Sequence, residues 1–231
     1  MHKFYKLHNW IPIYNLDWNC LSMNSNAINI LEKNVDKITW EFLSGNPNAI
    51  PILEKNIDKI FWYYLSSNSN AISILEKNID KIDWIQLSLN PNAIHLLEKN
   101  IDKIEWKKLS KNPNAISILE KNVDKINWNN LSLNPNAISI LEKNVDKINW
   151  GCLSLNENAI SILEANQDKI NWEYLCENPS IFTYDYCAMK NHMKNSGIAE
   201  ELMKNRFHPK YQYKWKNDWG FDDTLDDEDF K

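Results

Sequence analysis

The sequence predicts an all-α solenoid, a stack of short helices made from one repeated unit. The unit W-x-x-L-S-x-N-x-N-A-I-x-x-L-E-K-N-x-D-K-I-x is 22 residues long and recurs without insertion or deletion. Within each unit, Ala, Ile and Leu recur at the spacing of one helix face, and the whole chain has only 4 glycines. A fixed short period over most of a chain is typical of stacked repeat arrays. The period is marked by Trp18, Trp40, Trp62, Trp84, Trp106, Trp128, Trp150 and Trp172.

The period divides the chain into seven full units and partial units at both ends. Unit 1 begins at Trp18, and unit 8 begins at Trp172 and is incomplete. We expect Trp10 and the N-terminal tyrosines to cover the first end of the stack, because terminal repeats need a cap. The predicted organisation is an N-terminal half repeat at 1–17, a repeat solenoid at 18–183, a helical C-terminal cap at 184–217 and an acidic tail at 218–231.

Each unit is expected to contain a longer helix, a tight turn, a short helix and another tight turn. In unit 2, Asn46 is a suitable N-cap and Pro47 suits the first helical position. Asn56 is expected to end this helix in the left-handed conformation, a role that Asn takes when Gly is scarce. Asp58 is predicted to cap a second segment that runs through Trp62, and the pattern fits α or 3₁₀ geometry equally well.

The eight tryptophans are predicted to form the structural core, as a buried spine shared by consecutive units. Helices this short do not persist alone in water, so their apolar faces must be covered by neighbouring units. A role for the tryptophans in stacking on nucleic-acid bases is the less favoured alternative.

Other repeat folds fit the period less well. A β-strand horseshoe has repeats of similar length, but its LxxLxL pattern is absent, and Asn-Pro-Asn-Ala-Ile favours the start of a helix. Tetratricopeptide and armadillo units are longer than 22 residues.

The termini and the cysteines predict an intracellular protein. The start, MHKFYKLHNW, lacks the apolar core of a signal peptide, and no long apolar run follows, so we expect no membrane association. Cys20, Cys152, Cys176 and Cys187 show no metal-type spacing and are expected to be free thiols in a reducing compartment.

The last residues carry most of the net charge. Residues 218–231 hold seven acids and one lysine, a charge of −6, which leaves +1 on the rest of a chain whose total is −5. Such a run is usually a solvated, disordered end. The alternative is an acidic docking motif, which Trp219, Phe221 and Phe230 favour.

The motif LSxNPNAIxxLEKNxDKIxW resembles repeat proteins of giant, mimivirus-like DNA viruses. The resemblance covers about residues 10–183, and the end of the chain, from Glu200 through Phe207 to Asp222, is similar to a closing segment of such proteins. It implies an intracellular viral protein, in the host cytoplasm or the virion. A more distant similarity is to leucine-rich-variant arrays, whose units alternate α and 3₁₀ helices.

The two residues after each tryptophan vary most between units. A constant scaffold with one variable face is how solenoids present a binding surface. Phe42, Tyr63, Tyr64 and Ile85 have the apolar character that anchors interfaces. The alternative is neutral drift at solvated positions. The candidate partner-binding face comprises Glu41, Phe42, Tyr63, Tyr64, Ile85, Gln86, Lys107 and Lys108.

Other functions find less support in the sequence. The charges of each unit balance, and Lys107, Lys108 and Lys111 form the one basic cluster, so nucleic-acid binding is disfavoured. No catalytic constellation, glycine-rich phosphate loop or cofactor motif is present. A zinc site from Cys176, Cys187, His192 and His208 matches no known finger spacing. The sequence favours a non-enzymatic scaffold that binds a protein, with a self-assembling virion component and a modular nucleic-acid reader as alternatives.

Overall fold

A computed structural model describes residues 5–196. Every regular element in this range is helical, and neighbouring units pack against one another in a regular array, so the predicted α-solenoid is confirmed. Each full unit contains three segments rather than two. An α-helix begins at the tryptophan (the A helix), a second α-helix begins at the isoleucine of N-A-I (the B helix), and a 3₁₀ turn contains Asp-Lys.

The segments recur at nearly constant positions. The A helices are Trp18–Met23, Trp40–Gly45, Trp62–Ser67, Trp84–Leu87, Trp106–Leu109, Trp128–Ser132, Trp150–Ser154 and Trp172–Leu175. The B helices are Ile28–Leu31, Ile50–Glu54, Ile72–Glu76, Ile94–Lys99, Ile116–Lys121, Ile138–Glu142 and Ile160–Glu164. The 3₁₀ turns are Ile13–Asn15, Val35–Lys37, Ile57–Lys59, Ile79–Lys81, Ile101–Lys103, Val123–Lys125, Val145–Lys147, Gln167–Lys169 and Pro179–Ile181.

The A helix starts at the tryptophan itself, and the residue before it is the N-cap, which we count with the unit whose A helix it caps. In unit 4, the Asp83 carboxylate accepts the N–H of Gln86 at 2.9 Å. Asp58 lies inside the 3₁₀ turn Ile57–Lys59 instead, so the prediction that it caps the segment through Trp62 is wrong. The extended backbone at Ile60 separates the 3₁₀ turn from the A helix.

The predicted roles of the asparagines are also wrong. Asn46 follows the A helix in extended conformation, Pro47 lies in the turn, and the B helix begins only at Ile50. Asn56 has φ −136° and ψ 50°, which is not left-handed. Its Nδ2 donates to the carbonyl oxygen of Ile52 at 2.8 Å, so the side chain closes the B helix by a hydrogen bond rather than by a special backbone conformation.

Leucines, rather than tryptophans, form the centre of the core. In unit 2, Leu43 from the A helix and Leu53 from the B helix have no exposed surface, and Ala49, Ile52 and Ile60 are buried beside them. The same five positions are buried in units 3 to 6, so the core is one continuous column. Burying a large aliphatic side chain stabilises the fold by about 1.5–3 kcal/mol.

The prediction that the tryptophans form a buried spine needs correction. The rings of units 1 to 7 are half-buried and pack against the edge of the leucine core. The outer side of each is covered by the lysine of the following 3₁₀ turn, as in Lys125, whose Nζ lies 4.9 Å from the Trp106 ring centroid. A half-buried ring under an ammonium group is a cation–π arrangement. Trp172, which no such lysine follows, is 62% exposed.

A ladder of buried asparagines links the units. The Nδ2 of each donates to the carbonyl oxygen of the serine in the unit before it, at 2.9–3.2 Å. From unit 3 onward the same Nδ2 also donates to the backbone carbonyl oxygen of the preceding ladder asparagine, at 3.0–3.1 Å. Buried polar groups are costly unless they are hydrogen-bonded, so this ladder specifies how units stack. The ladder consists of Asn46, Asn68, Asn90, Asn112, Asn134, Asn156 and Asn178.

The chain separates into two compact units, Met1–Ile181 and Phe182–Lys231. In the first, the 3₁₀ turn Ile13–Asn15 stands one period before Val35–Lys37. Trp10 and Tyr14 are largely exposed, so they do not cover the end of the stack as expected. In the second, the helix Tyr186–Asn195 is present. The rest of the predicted cap and the acidic tail at 218–231 lie outside the described residues.

Candidate partner-binding surface

The A helices position the candidate surface by anchoring two of their side chains inward. In unit 3, Leu65 and Ser66 have no exposed surface. The Ser66 hydroxyl donates to the carbonyl oxygen of Trp62 at 2.7 Å and accepts the N–H of Asp83 in the next unit at 3.0 Å. Because residues three and four positions after the tryptophan point into the core, the residues one and two positions after it point outward.

We call the outward surface the A face, defined in each unit by the residue before the tryptophan and the two residues after it. Tyr63, Ile85 and Lys107 are exposed on this face. The other five predicted binding residues are half-buried against neighbouring side chains: Glu41, Phe42, Tyr64, Gln86 and Lys108. The predicted residues therefore share one surface, with Tyr63, Ile85 and Lys107 at the same position in consecutive units.

Side chains of adjacent units interlock across the A face. The Thr39 hydroxyl donates to Oδ1 of Asn19 at 2.6 Å, and Asn149 donates to Asn129 in the same register at 2.9 Å. Asn130 donates to the carbonyl oxygen of Lys107 at 2.6 Å. The A face is therefore continuous across unit boundaries.

The aromatic part of the face is held in place by direct contacts. The rings of Tyr63 and Tyr64 meet edge to face, with centroids 5.1 Å apart. The Tyr64 hydroxyl donates to Oε1 of Glu41 at 3.0 Å. This hydrogen bond, with the negative charge of Glu41, raises the pKa of Tyr64 because both favour the neutral phenol. The structure thus brings Glu41, Tyr63 and Tyr64 together.

No protein-family model, curated protein or solved structure matches this chain. The A face must therefore be interpreted from its own chemistry.

Sequence reasoning missed Phe61 as a member of the face. Phe61 precedes Trp62 and is 49% exposed, beside Tyr63 at 52% and Ile85 at 50%. The sequence contains a signal for it, because the residue before the tryptophan also varies between units. With Phe61 included, three half-exposed apolar side chains lie on two neighbouring units.

The remaining surface is mixed in charge. In unit 2, Glu54, Lys55, Asp58 and Lys59 are all exposed, and this pattern recurs along the stack. Among the described residues, one ion pair forms, between His95 Nε2 and Glu76 Oε1 at 2.8 Å. Exposed pairs of this kind contribute little to stability.

The structure also bears on metal and membrane hypotheses. Within residues 5–196, no three His, Cys, Asp or Glu side chains are grouped as a metal site would require. His208 of the suggested zinc site lies outside this range, so that set cannot be assembled from described residues. Over the same range, no helix has both the length and the apolar character to cross a bilayer.

A groove lies at the N-terminal end of the array. An open groove of about 570 Å³ runs between Tyr5–Leu7 and the B helix of unit 1. The backbone is held there by Asn29, whose Nδ2 donates to the carbonyl oxygen of Tyr5 at 3.1 Å. Its lining mixes polar and apolar groups without a buried charged side chain aimed into it.

Proposed function

We propose that this protein is a non-enzymatic repeat scaffold that binds a protein partner through the A face of units 2 to 5. The observation that supports this proposal is the cluster of Phe61, Tyr63 and Ile85, which stay about half exposed on a surface otherwise dominated by polar groups. Large apolar and aromatic side chains in such a position are the usual anchors of protein interfaces.

Rigidity of the supporting structure favours the same interpretation. Each A helix is tied inward by a buried leucine and serine and to the next unit by hydrogen bonds, as at Ser66 and Asp83. A surface that is ordered before binding loses less conformational entropy when a partner docks. The structure-forming residues are nearly constant between units, whereas the A-face residues differ, which suits a scaffold specialised for one partner.

Affinity capture with matched variants tests this function. We expect Tyr63→Ser combined with Ile85→Ser to lose the partner that the unchanged chain captures from cells, because both apolar anchors are removed. The control is Pro51→Ser, since Pro51 is exposed on a B helix and serine stands at the equivalent position in units 3, 5, 6 and 7. Circular dichroism checks that both variants remain helical.

The expected result must be reproduced with the purified partner to count as support. Equal capture by the double variant and by Pro51→Ser would contradict a binding role for this face.

Assembly of copies into a larger structure is a second candidate. It is favoured by Trp172 and Tyr174, which are exposed on the last A helix. Light scattering of the purified chain should then show species larger than a monomer of 27.3 kDa, and Trp172→Ser with Tyr174→Ser should reduce them. A monomer at all concentrations would exclude this candidate.

The resemblance of the repeat to proteins of giant DNA viruses supports a further proposal, an intracellular viral protein. Detection of the chain by mass spectrometry in infected cells or in purified virions would test it, and would separate a cytoplasmic role from a role in the particle.

A further inference from the structure

We propose that copies of this chain stack head to tail, with the A helix of unit 8 in one copy seated on unit 1 of the next copy. The occupant of each end of the array is then a second copy of the chain, joined by the same contacts that join consecutive units within it. The proposal rests on the assembly candidate, to which it adds the interface, and it does not depend on partner binding at the A face.

The described residues at the two ends of the array are complementary parts of one unit. If the tryptophan is counted as position 1, residues 5–17 occupy positions 10 to 22 of the unit before unit 1, and residues 172–180 occupy positions 1 to 9 of unit 8. The first set contains the 3₁₀ turn Ile13–Asn15, and the second contains the A helix Trp172–Leu175. Placed in register, the two sets make one unit of 22 positions that has both an A helix and a 3₁₀ turn.

Side-chain amides make three hydrogen bonds from each of units 3 to 7 to the unit before it. In unit 4, the Nδ2 of Asn90 donates to the carbonyl oxygens of Ser66 and Asn68, each at 3.0 Å. The Nδ2 of Asn92 donates to the carbonyl oxygen of Ser69 at 2.9 Å. The donors therefore stand at positions 7 and 9 of one unit, and the acceptors at positions 5, 7 and 8 of the unit before it.

Unit 1 presents the two donors of this pattern at one end of the array, which we call the donor end. Asn24 and Asn26 stand at positions 7 and 9, both are exposed, and neither Nδ2 donates to a residue within 5–196. Both line a cavity of about 200 Å³, together with Leu21 and Ala27. Because the equivalent amides of units 3 to 7 all bind carbonyl groups of a preceding unit, this face has the chemistry of a surface that receives one.

Unit 8 presents the matching acceptors at the other end of the array, which we call the acceptor end. The carbonyl groups of Cys176, Asn178 and Pro179 stand at positions 5, 7 and 8, and none of them accepts a side-chain amide of a described residue. Cys176 is exposed, whereas the serine at position 5 of units 1 to 7 has no exposed surface. Leu175 is only half-buried, whereas the leucine at position 4 of units 2 to 7 has no exposed surface. These residues are exposed where, in the earlier units, the next A helix covers them.

Contact between these two ends is head to tail, because the donors lie on one end and the acceptors on the other. Two like ends cannot form the hydrogen bonds, since donors would meet donors or acceptors would meet acceptors. Two copies joined through unlike surfaces leave one donor end and one acceptor end free, so further copies can add. The assembly therefore grows as an open chain of copies rather than as a symmetric dimer.

Two variants that each block one end test the proposal by sedimentation velocity in reducing buffer. The head variant carries Asn24→Asp and Asn26→Asp, which replace the amide donors by carboxylates that repel carbonyl oxygens. The tail variant carries Cys176→Arg, which places a long charged side chain where stacking would bury it. We expect the unchanged chain to form species larger than a dimer as its concentration rises, and each variant alone to sediment as a monomer of 27.3 kDa. Circular dichroism checks that both variants remain helical.

An equimolar mixture of the two variants decides the geometry. The acceptor end of the head variant can still join the donor end of the tail variant, so the mixture should form dimers and nothing larger. One control is Ser73→Asp with Ser139→Asp, which adds the same charge at exposed B-helix positions. The other is Cys176→Ser, which restores the serine found at position 5 of units 1 to 7. Both controls should associate like the unchanged chain.

Three results would overturn the proposal. An unchanged chain that is monomeric at every concentration would remove assembly altogether. Association of either variant alone would leave the assembly candidate standing but would place its interface elsewhere. A mixture that stays monomeric would show that the two ends do not complement each other. None of these results bears on partner capture at the A face, which is tested through Tyr63 and Ile85.

Discussion

The interior units and the last unit contain the same residues in different surroundings. In unit 7, Leu153 is fully buried and Trp150 is half-buried beneath Lys169. In unit 8, Leu175 is only half-buried and Trp172 is 62% exposed. Within the described residues, unit 8 has no B helix and no 3₁₀ turn with a lysine after its tryptophan, so the difference comes from the elements that follow the A helix. Burial in this protein is supplied by neighbours, as expected for a solenoid.

The asparagine ladder shows the opposite dependence. Asn178 in the last unit remains buried and donates to Ser154 and Asn156, each at 3.0 Å. Asn24 in the first unit is exposed, and its side chain accepts the N–H of Asn26 but donates to no carbonyl group within residues 5–196. Each ladder side chain therefore binds the unit before it, whereas each tryptophan of units 1 to 7 is covered by the lysine of the 3₁₀ turn that follows it in its own unit. The two ends of the array are chemically different for this reason.

The largest expected effect comes from the leucine column. Leu109→Ala should lower the free energy of unfolding by about 3–5 kcal/mol, because the side chain is fully buried and its loss leaves a cavity. Leu175→Ala at the equivalent place in unit 8 should cost less, about 1–2 kcal/mol, since part of that side chain already contacts water. Urea denaturation measures both. Equal losses of unfolding free energy in the two variants would show that burial by neighbouring units does not control stability.

A somewhat smaller effect is expected from the ladder. Asn112→Ala removes three hydrogen bonds, to the carbonyl oxygens of Ser88 and Asn90 and from the N–H of Asn114. Because the two carbonyl groups are left without this donor inside the stack, we expect a loss of about 2–4 kcal/mol. Asn24→Ala is the matched control and should cost less than about 1 kcal/mol. If the two variants denature at the same urea concentration, the ladder is not what joins the units.

The smallest effect tests the position of the tryptophans. Trp106→Ala should cost about 2–3 kcal/mol, less than the loss of a fully buried ring, because the Trp106 ring is half-buried and lies beneath Lys125. Trp172→Ala should change stability by about 0.5 kcal/mol or less. Acrylamide quenching of the two variants compares the rings. The fluorescence that Trp172→Ala removes should be quenched more strongly than the fluorescence that Trp106→Ala removes. A large cost at Trp172 would mean that this ring is covered in solution.

Much of the fold could be predicted from the repeat. The period, the all-helical class, the number of units and the helical use of Ala49, Ile52 and Leu53 follow from spacing alone. The roles of Asn46 and Asn56 could not be predicted. Asn46, which stands before Pro-Asn, suits a helix cap equally well, and its true partner, the carbonyl oxygen of Ser22, lies one unit earlier in the chain, which local propensity does not represent. At Asn56, local propensity does not distinguish a left-handed backbone from the observed hydrogen bond to the carbonyl oxygen of Ile52.

Only part of the candidate surface could be predicted from the sequence. Variation between units pointed to Tyr63 and Ile85, which are exposed, but it did not distinguish them from Glu41 and Tyr64, which hydrogen-bond to each other and are half-buried. Whether these residues bind a partner stays a prediction.

By itself, the sequence determined that one helical unit is stacked many times, because apolar spacing and an uninterrupted period allow few other arrangements. Only the tertiary structure decided what each repeated residue does. The leucines form the centre of the core, and the tryptophans lie at its edge beneath lysines. The reason is that packing between units decides which side chains lose contact with water. Asparagine became the link between units, because the carbonyl groups that it satisfies belong to the neighbouring repeat.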